Sequence, residues 1–176
     1  ETWQSFEKKL TIQQFRKGEF IIREGDICRF VSYINSGMTR FYYLVEGKEI
    51  CTGLAGENDY ISEYNSFPTK SPASMFIEAL EDKEMIHLSY HDMQESYNSY
   101  SIFERFGRKI AERLFVMLSS QNTRLLVLTP EQRYQFVVQH QPAILQKVPQ
   151  YMIASYIGIT PEHLSRIRKK LSEKTS

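Results

Sequence analysis

Cysteine is scarce in this sequence: Cys28 and Cys51 are the only two in 176 residues. They lie in different apolar-rich segments with no CxxC pair, so they cannot supply the four thiolates of an iron–sulfur centre, and both are expected as buried free thiols. Histidine is also rare, at four. His87 and His91 are four apart, but Ser89 followed by Asp92 reads as a helix start between them, which puts them on different elements and leaves too few convergent ligands for a metal. No apolar run approaches the length of a membrane span and no signal-peptide pattern opens the chain, which begins at Glu1 rather than Met; a cytoplasmic location without a membrane partner is expected. The net charge is only +1, so any electrostatic partner must be met by a local patch rather than by the whole surface.

An apolar fraction of 41% is enough for one sizeable core and a small second module. Residues 1–9 read as a short amphipathic lead-in that offers Trp3 and Phe6 to the core. Short segments then follow at 11–15, 20–23, 30–35, 38–45, 49–54, 74–80 and 85–88, separated by turn signals such as Lys17-Gly18, Glu24-Gly25-Asp26 and Glu46-Gly47-Lys48. This spacing predicts an antiparallel roll. After a short helix over 89–97, Phe106, Ile110, Leu114, Met117, Gln121 and Leu125 step by threes and fours without a proline. At 1.5 Å per residue the helix they define runs about 40 Å, more than one small domain can cover. These six residues are the expected dimer interface, with Gly107 and Gln121 as weak points or register markers. Ile102, Phe115, Leu118 and Leu126 broaden the stripe, so that one side can pack on the roll while another meets a second chain. Thr129, Pro130 and Gln132 make a capping box for the next helix, whose buried face is read as Tyr134, Phe136, Val137 and Val138. His140-Gln141-Pro142 ends it, and 142–147 reads as a loop. The expected organisation is α+β, with a roll over 1–98, a long dimerisation helix over 99–128 and a helical domain over 129–176.

That last domain holds the most informative stretch, VPQYMIASYIGITPEHLSRIRKKL over 148–171. Ile153, Ile157, Ile159, Leu164 and Ile167 have the spacing of two short helices crossing at a tight turn, with Ala154 small at the crossing and Gly158 able to take positive φ. Thr160 caps the second helix and Pro161 occupies its first position. Leu164, Ile167 and Leu171 face inward, leaving Glu162, His163, Ser165, Arg166 and Lys169 outside. This is the pattern of a helix-turn-helix. An ordinary helical hairpin would share the apolar spacing but not need a basic outer face. From Lys147 onward six cations stand against two carboxylates, while the rest of the chain is net negative. That asymmetry suits a phosphate backbone, so double-stranded DNA is the expected partner.

In its order of modules the chain resembles the Crp/Fnr family of bacterial transcription regulators. The resemblance covers nearly the whole chain and is carried by IASYIGITPEHLSRIRKKL, by Lys17-Gly18-Glu19 with Glu24-Gly25-Asp26, and by FIEALED over 76–82. It implies a homodimer on a twofold-related site, acting with the transcription machinery, and a sensory pocket inside a cyclic-nucleotide-binding-like roll. Glu162 and Arg166 match base-reading positions, and their chemistry suits cytosine N4 and guanine O6/N7. His163 and Ser165 supplement them, and Thr160, Arg168 and Lys169 are expected phosphate anchors. Pro161 stands where relatives often carry Arg. The matching pocket positions are Tyr60, Glu63, Tyr64, Ser71 and Ser74, with Phe67 and Phe76 as further aromatic lining.

Two departures bear on function. Nucleotide-binding relatives hold the cyclic phosphate with an Arg, yet no Arg occurs between Cys51 and Ile102. Lys70 is the only cation near the turn, and a point charge does not replace a bidentate fork, so cyclic AMP is not the expected effector and its identity stays open. Many relatives also add a β-hairpin wing after the recognition helix, which the residues following Leu171 here are too few to build. Two other readings compete. A cupin-like enzyme needs several histidines on neighbouring strands, and only His87 falls within 10–88, so no catalytic residue is expected. The other is a roll that docks a protein partner, with the basic helix incidental.

Overall fold

Eight strands and seven helices account for the chain, which the computed structural model describes over residues 2–175. In order they are α1 (Thr2–Glu7), β1 (Leu10–Phe15), β2 (Phe20–Ile22), β3 (Phe30–Ser36), β4 (Thr39–Val45), β5 (Lys48–Ala55), β6 (Tyr60–Ile61), β7 (Phe76–Ala79), β8 (Lys83–Ser89), α2 (Tyr90–Ser99), α3 (Ser101–Val127), α4 (Pro130–His140), α5 (Pro142–Lys147), α6 (Gln150–Tyr156) and α7 (Pro161–Thr175). The strands form two four-stranded antiparallel sheets, ordered β1-β8-β3-β6 and β2-β7-β4-β5. Among the described residues no helix is long and apolar enough to cross a membrane.

The inner faces of the sheets meet over Ile22, Ile34, Ile61, Ile77 and Met85, all buried. Cys28 joins this cluster as a buried free thiol, and Cys51 is buried as well. The alternation along β8 also drives Lys83 and His87 inward. Each finds a polar neighbour: the Lys83 amine donates to the Thr39 hydroxyl, and His87 Nδ1 meets the Ser32 hydroxyl. His87 is wedged beside Phe30, ring centroids 4.3 Å apart. Burial, aided by the Lys83 charge, pulls its pKa down to about 4, and burial lowers Lys83 to about 8.

Four expectations about the elements are corrected. Phe6 enters the core and stacks on Phe103 at 4.3 Å, but Trp3 is exposed. A two-residue strand, β6, pairs with β3 in a stretch where no strand was expected. The stretch 142–147 is a helix: Pro142 follows the end of α4 and opens α5 at its first position, which a missing N–H permits. Val138 is exposed on α4, whose buried residues are Tyr134 and Val137. The capping box at Thr129 forms as expected, as does the Ser89 cap on α2.

The 27-residue helix α3 lies along the roll. The half-buried residues Ile110, Leu114 and Gln121 face the body of this chain, and Gln121 Nε2 donates to the Thr52 carbonyl at 2.6 Å. Phe106, Met117 and Leu125, from the same expected stripe, are partly exposed. The most exposed large apolar side chains of α3 are Phe115 at 73%, Leu126 at 78% and Val127 at 72%. Gln121, one of the residues expected at the dimer interface, thus bonds to β5 of its own roll. Gly107 also has a local reason: a Cβ there would come within 1.8 Å of the Tyr97 hydroxyl of α2. Its missing side chain lets α2 and α3 touch.

The helical domain is joined to the roll by more than α3. α6 packs against β5, and Met38, Cys51 and Leu80 of the roll share one buried cluster with Tyr134, Ile153 and Ile157. The Cys51 N–H donates to the Ser155 hydroxyl at 2.8 Å, and Lys147 pairs with Glu81 at 2.8 Å. The long helix is thus one of several connections between roll and helical domain.

Candidate nucleic-acid interface and effector cavity

The apolar spacing over 153–167 does what it predicts. Ile153, Ala154, Ile157, Leu164 and Ile167 are buried, with Ile159 and Leu171 packed against them; each fully buried aliphatic side chain contributes roughly 1.5–3 kcal/mol. Gly158 has φ +72°, turning the chain between α6 and α7, and the Ile159 N–H donates back to the Ala154 carbonyl at 2.9 Å. Thr160 Oγ1 accepts from the His163 N–H at 3.2 Å and so caps α7.

With Leu164 and Ile167 fixed inward, Glu162, Ser165 and Arg166 are exposed on the opposite face, and His163 is half-buried beside them. The Glu162 carboxyl is held below its ordinary range by its own backbone N–H, by the Thr160 hydroxyl and by Arg166. Thr160, Arg168 and Lys169 are exposed too. Gln150, from the start of α6, borders one groove with Ser165, Arg168 and Lys169. It was not among the expected contacts, although a polar residue opening the first helix of the pair could have marked it. Two of the six cations are used internally, Lys147 with Glu81 and Lys170 with Glu131 at 2.7 Å. The outward charge on α7 is thereby centred on Arg166, Arg168 and Lys169.

A cavity of about 260 Å³ lies between the roll and α3. Tyr60, Glu63 and Tyr64, three of the matching pocket positions, line it together with Ile61, Leu114, Met117 and Gln121. Gln141 and Tyr156 of the helical domain complete the wall, and the Tyr156 hydroxyl donates to Gln141 Oε1 at 3.4 Å. Glu63 is 1% exposed; its Oε2 accepts from the Ser66 N–H at 2.5 Å, while Oε1 has no hydrogen-bond partner among the described residues. Ser71 and Ser74 are corrections. Both are exposed away from the cavity, because the turn they occupy folds outward, with the Ser71 carbonyl accepting from Ser66 Oγ at 2.5 Å. Phe76 stacks on Tyr42 at 5.0 Å, and Phe67 lines a neighbouring apolar cavity with Phe103 and Phe106. Burial pushes the Tyr64 hydroxyl, which borders both cavities, up to about 12. Lys70 sits 5.7 Å over the Tyr90 ring.

The trio His91, Asp92 and Glu95 on α2 gathers three ligand-type side chains at the surface. Asp92 is used by the Ser89 hydroxyl at 2.5 Å and Glu95 by Lys9 at 3.1 Å, so two of the three already have structural partners.

The profile of the cyclic nucleotide-binding domain family matches residues 12–100. No curated protein matches the chain in sequence. Among solved structures it is similar to FixK2 from Bradyrhizobium japonicum, with 17% identity and a TM-score of 0.80 over 94% of this chain and 86% of that one. It is also similar to a transcriptional regulator described as crp/fnr family from Eubacterium rectale, with 14% identity and a TM-score of 0.73 over 98% and 83% of the two chains. A third is the c-di-GMP-responsive global regulator CLP from Xanthomonas campestris, with 19% identity and a TM-score of 0.70 over 99% and 92%. At these identities the likeness concerns the fold: a roll, a long helix and a C-terminal helical domain in one order.

Proposed function

Because this chain belongs to the cyclic nucleotide-binding domain family and has the fold of Crp/Fnr regulators, we propose that it is a sequence-specific DNA-binding transcription regulator, acting as a homodimer on a palindromic site. The observation that carries this reading is the exposed face of α7. Glu162, Ser165 and Arg166 stand outward on a helix whose opposite side, Leu164 and Ile167, is locked into the core. A helix held this way can enter a major groove without loosening its own packing. Arg166 and Glu162 read base edges, with His163 and Ser165 beside them, while Thr160, Arg168 and Lys169 set register on phosphates. The apolar outer face of α3, centred on Phe115 and Leu126, supplies the pairing surface.

The roll serves as the effector domain, and the reading assigns it no chemical step. Lys70 over Tyr90, in a turn without arginine, gives no bidentate hold on a cyclic phosphate, which argues against cyclic AMP. A gel-shift selection from a pool of random duplexes tests the proposal. Enrichment of one palindromic site is expected; binding without enrichment, falling uniformly with salt, overturns sequence-specific recognition in favour of non-specific phosphate contact.

A further inference from the structure

The two sheets of the roll end in four edges, and three of them are capped or short. On the outer side of β5 the Cys51 N–H donates to the Ser155 hydroxyl and the Thr52 carbonyl accepts from Gln121. β2 and β6 span only three and two residues. The fourth edge, β1, is open. It runs six residues, Leu10–Phe15, in unbroken register with β8 from Leu10 against Leu88 to Phe15 against Lys83. In an antiparallel pair every second residue turns its N–H and C=O away from the neighbour, and among the described residues no hydrogen bond meets β1 on that side. Sheet edges are ordinarily blunted by a proline, a bulge or a charge within the strand. LTIQQF has none of these, and Ile12 near its centre is 65% exposed, beside Ile86 and Tyr33 on the outer face of the sheet.

The charges stand at the two ends. Lys8 and Lys9 precede the strand, and Arg16 and Lys17 follow it. Lys9 pairs with Glu95 at 3.1 Å. Of the carboxylates close by in sequence or register, Glu19 and Asp82 accept from the backbone N–H groups of Arg16 and Lys17, each at 2.8 Å, Glu84 accepts from Asn35 at 2.7 Å, and Glu7 lies on α1. Among the described residues no ion pair occupies the exposed side chains of Lys8, Arg16 and Lys17. A second copy of β1 is therefore a poor occupant: paired about a twofold axis, Lys8 and Lys9 of each copy would face Lys17 and Arg16 of the other, and like charges placed opposite repel.

We propose that β1 takes up an extended segment of another protein as an added strand of its sheet, the segment carrying an uncharged, β-forming centre with Asp or Glu at both ends. Backbone hydrogen bonds hold the segment, and the cations that bracket β1 select it. An apolar side chain of the segment lies beside Ile12. The surface is separate from α7, so it stands whether or not the chain reads DNA.

Fluorescence anisotropy and hydrogen exchange on the intact protein test it with three labelled peptides: alternating Thr and Val with paired Glu at each end, the same centre with paired Lys at each end, and the acidic peptide N-methylated throughout its centre. The acidic peptide is expected to bind at least tenfold more tightly than the basic one, by a margin that shrinks as salt rises, and to slow amide exchange first in residues 10–15. The N-methylated peptide keeps its side chains and charges but has no central amide donors, and it does not bind. Replacing Lys8, Arg16 and Lys17 together by Glu inverts the preference between the acidic and basic peptides. Ile12→Asp, at an exposed position, weakens the acidic peptide at least tenfold and keeps the site testable if the charge-reversed variant does not fold. Equal affinity for the acidic and basic peptides, or no binding of either, overturns the proposal. Undiminished binding of the N-methylated peptide overturns strand addition, and protection that falls outside residues 10–15 overturns the site. Protection of residues 10–15 that grows with protein concentration in the absence of peptide assigns this edge to a second copy instead.

Discussion

The Cys51 N–H and the Ser155 hydroxyl, 104 residues apart in sequence, meet at 2.8 Å and join a strand of the roll to the first helix of the helix-turn-helix. Ser155→Ala leaves a partly buried N–H without an acceptor, which costs about 1–3 kcal/mol. Urea denaturation should show a lower midpoint by that amount, and hydrogen exchange should quicken in α6 ahead of the central strands. A loss of stability spread evenly over the chain would mean that the bond does not single out the docked helix.

Arg166→Ala should relax the choice of base at one position of the selected site and cost about 1–3 kcal/mol there. Lys169→Ala should weaken all duplexes alike and reduce the salt slope by about one. Gel-shift titrations over a panel of single-base variants separate the two outcomes. If Arg166→Ala behaves like the Lys169 variant, Arg166 is a phosphate contact.

Leu126 is 78% exposed on α3, so Leu126→Glu removes little from the fold of one chain. It should nevertheless yield monomers in analytical ultracentrifugation and lower site affinity by at least tenfold, since two linked heads bind far better than one. Leu114, half-buried against the cavity, is the contrasting position: Leu114→Glu should lower the melting temperature first. A Leu126→Glu dimer of full strength would put the pairing surface elsewhere.

His87 sets an acid limit on stability. Its folded pKa is lowered to about 4, so the neutral ring is favoured in the folded state and the unfolded chain takes up the proton first. Stability from this residue is complete above its unfolded value near 6.5 and is lost as pH falls from there towards 4, by roughly 3 kcal/mol. Lys83, lowered to about 8, changes charge above this window and does not contribute to the slope. His87→Gln should flatten the fall between pH 6.5 and 4 relative to the unaltered protein, measured by denaturant midpoints at each pH. Parallel profiles would assign the acid sensitivity to carboxylates instead.

The helix-turn-helix was legible because its signals are local: a cap at Thr160, a positive-φ glycine at 158 and apolar residues at helical spacing. The roll was legible from its turn residues, except for β6, too short at two residues to display a period. The helix over 142–147 was hidden because Pro142 stops one helix and starts the next. The orientation of α3 was not readable, since apolar residues lie on both of its faces and it takes three-dimensional contacts, such as the bond from Gln121 to Thr52 and the ring pair of Phe106 with Tyr60, to reveal which one meets the roll. Ser71 and Ser74 were misplaced for a related reason: position along a matching stretch does not say whether a turn folds towards or away from the interior. Nothing in the sequence neighbourhood of Cys51, Met38 or Leu80 announces that their partners lie in the helical domain.

Position 107 is bare of a side chain because the Tyr97 ring occupies the space one would need. A methyl group there would come within 1.8 Å of the Tyr97 hydroxyl and displace the end of that ring. The seam between α2 and α3 would lose its aromatic clasp, about five helical turns before the point where the Leu125 carbonyl accepts from Arg133 Nη1. A glycine thus keeps the long helix fastened at the end away from the helical domain.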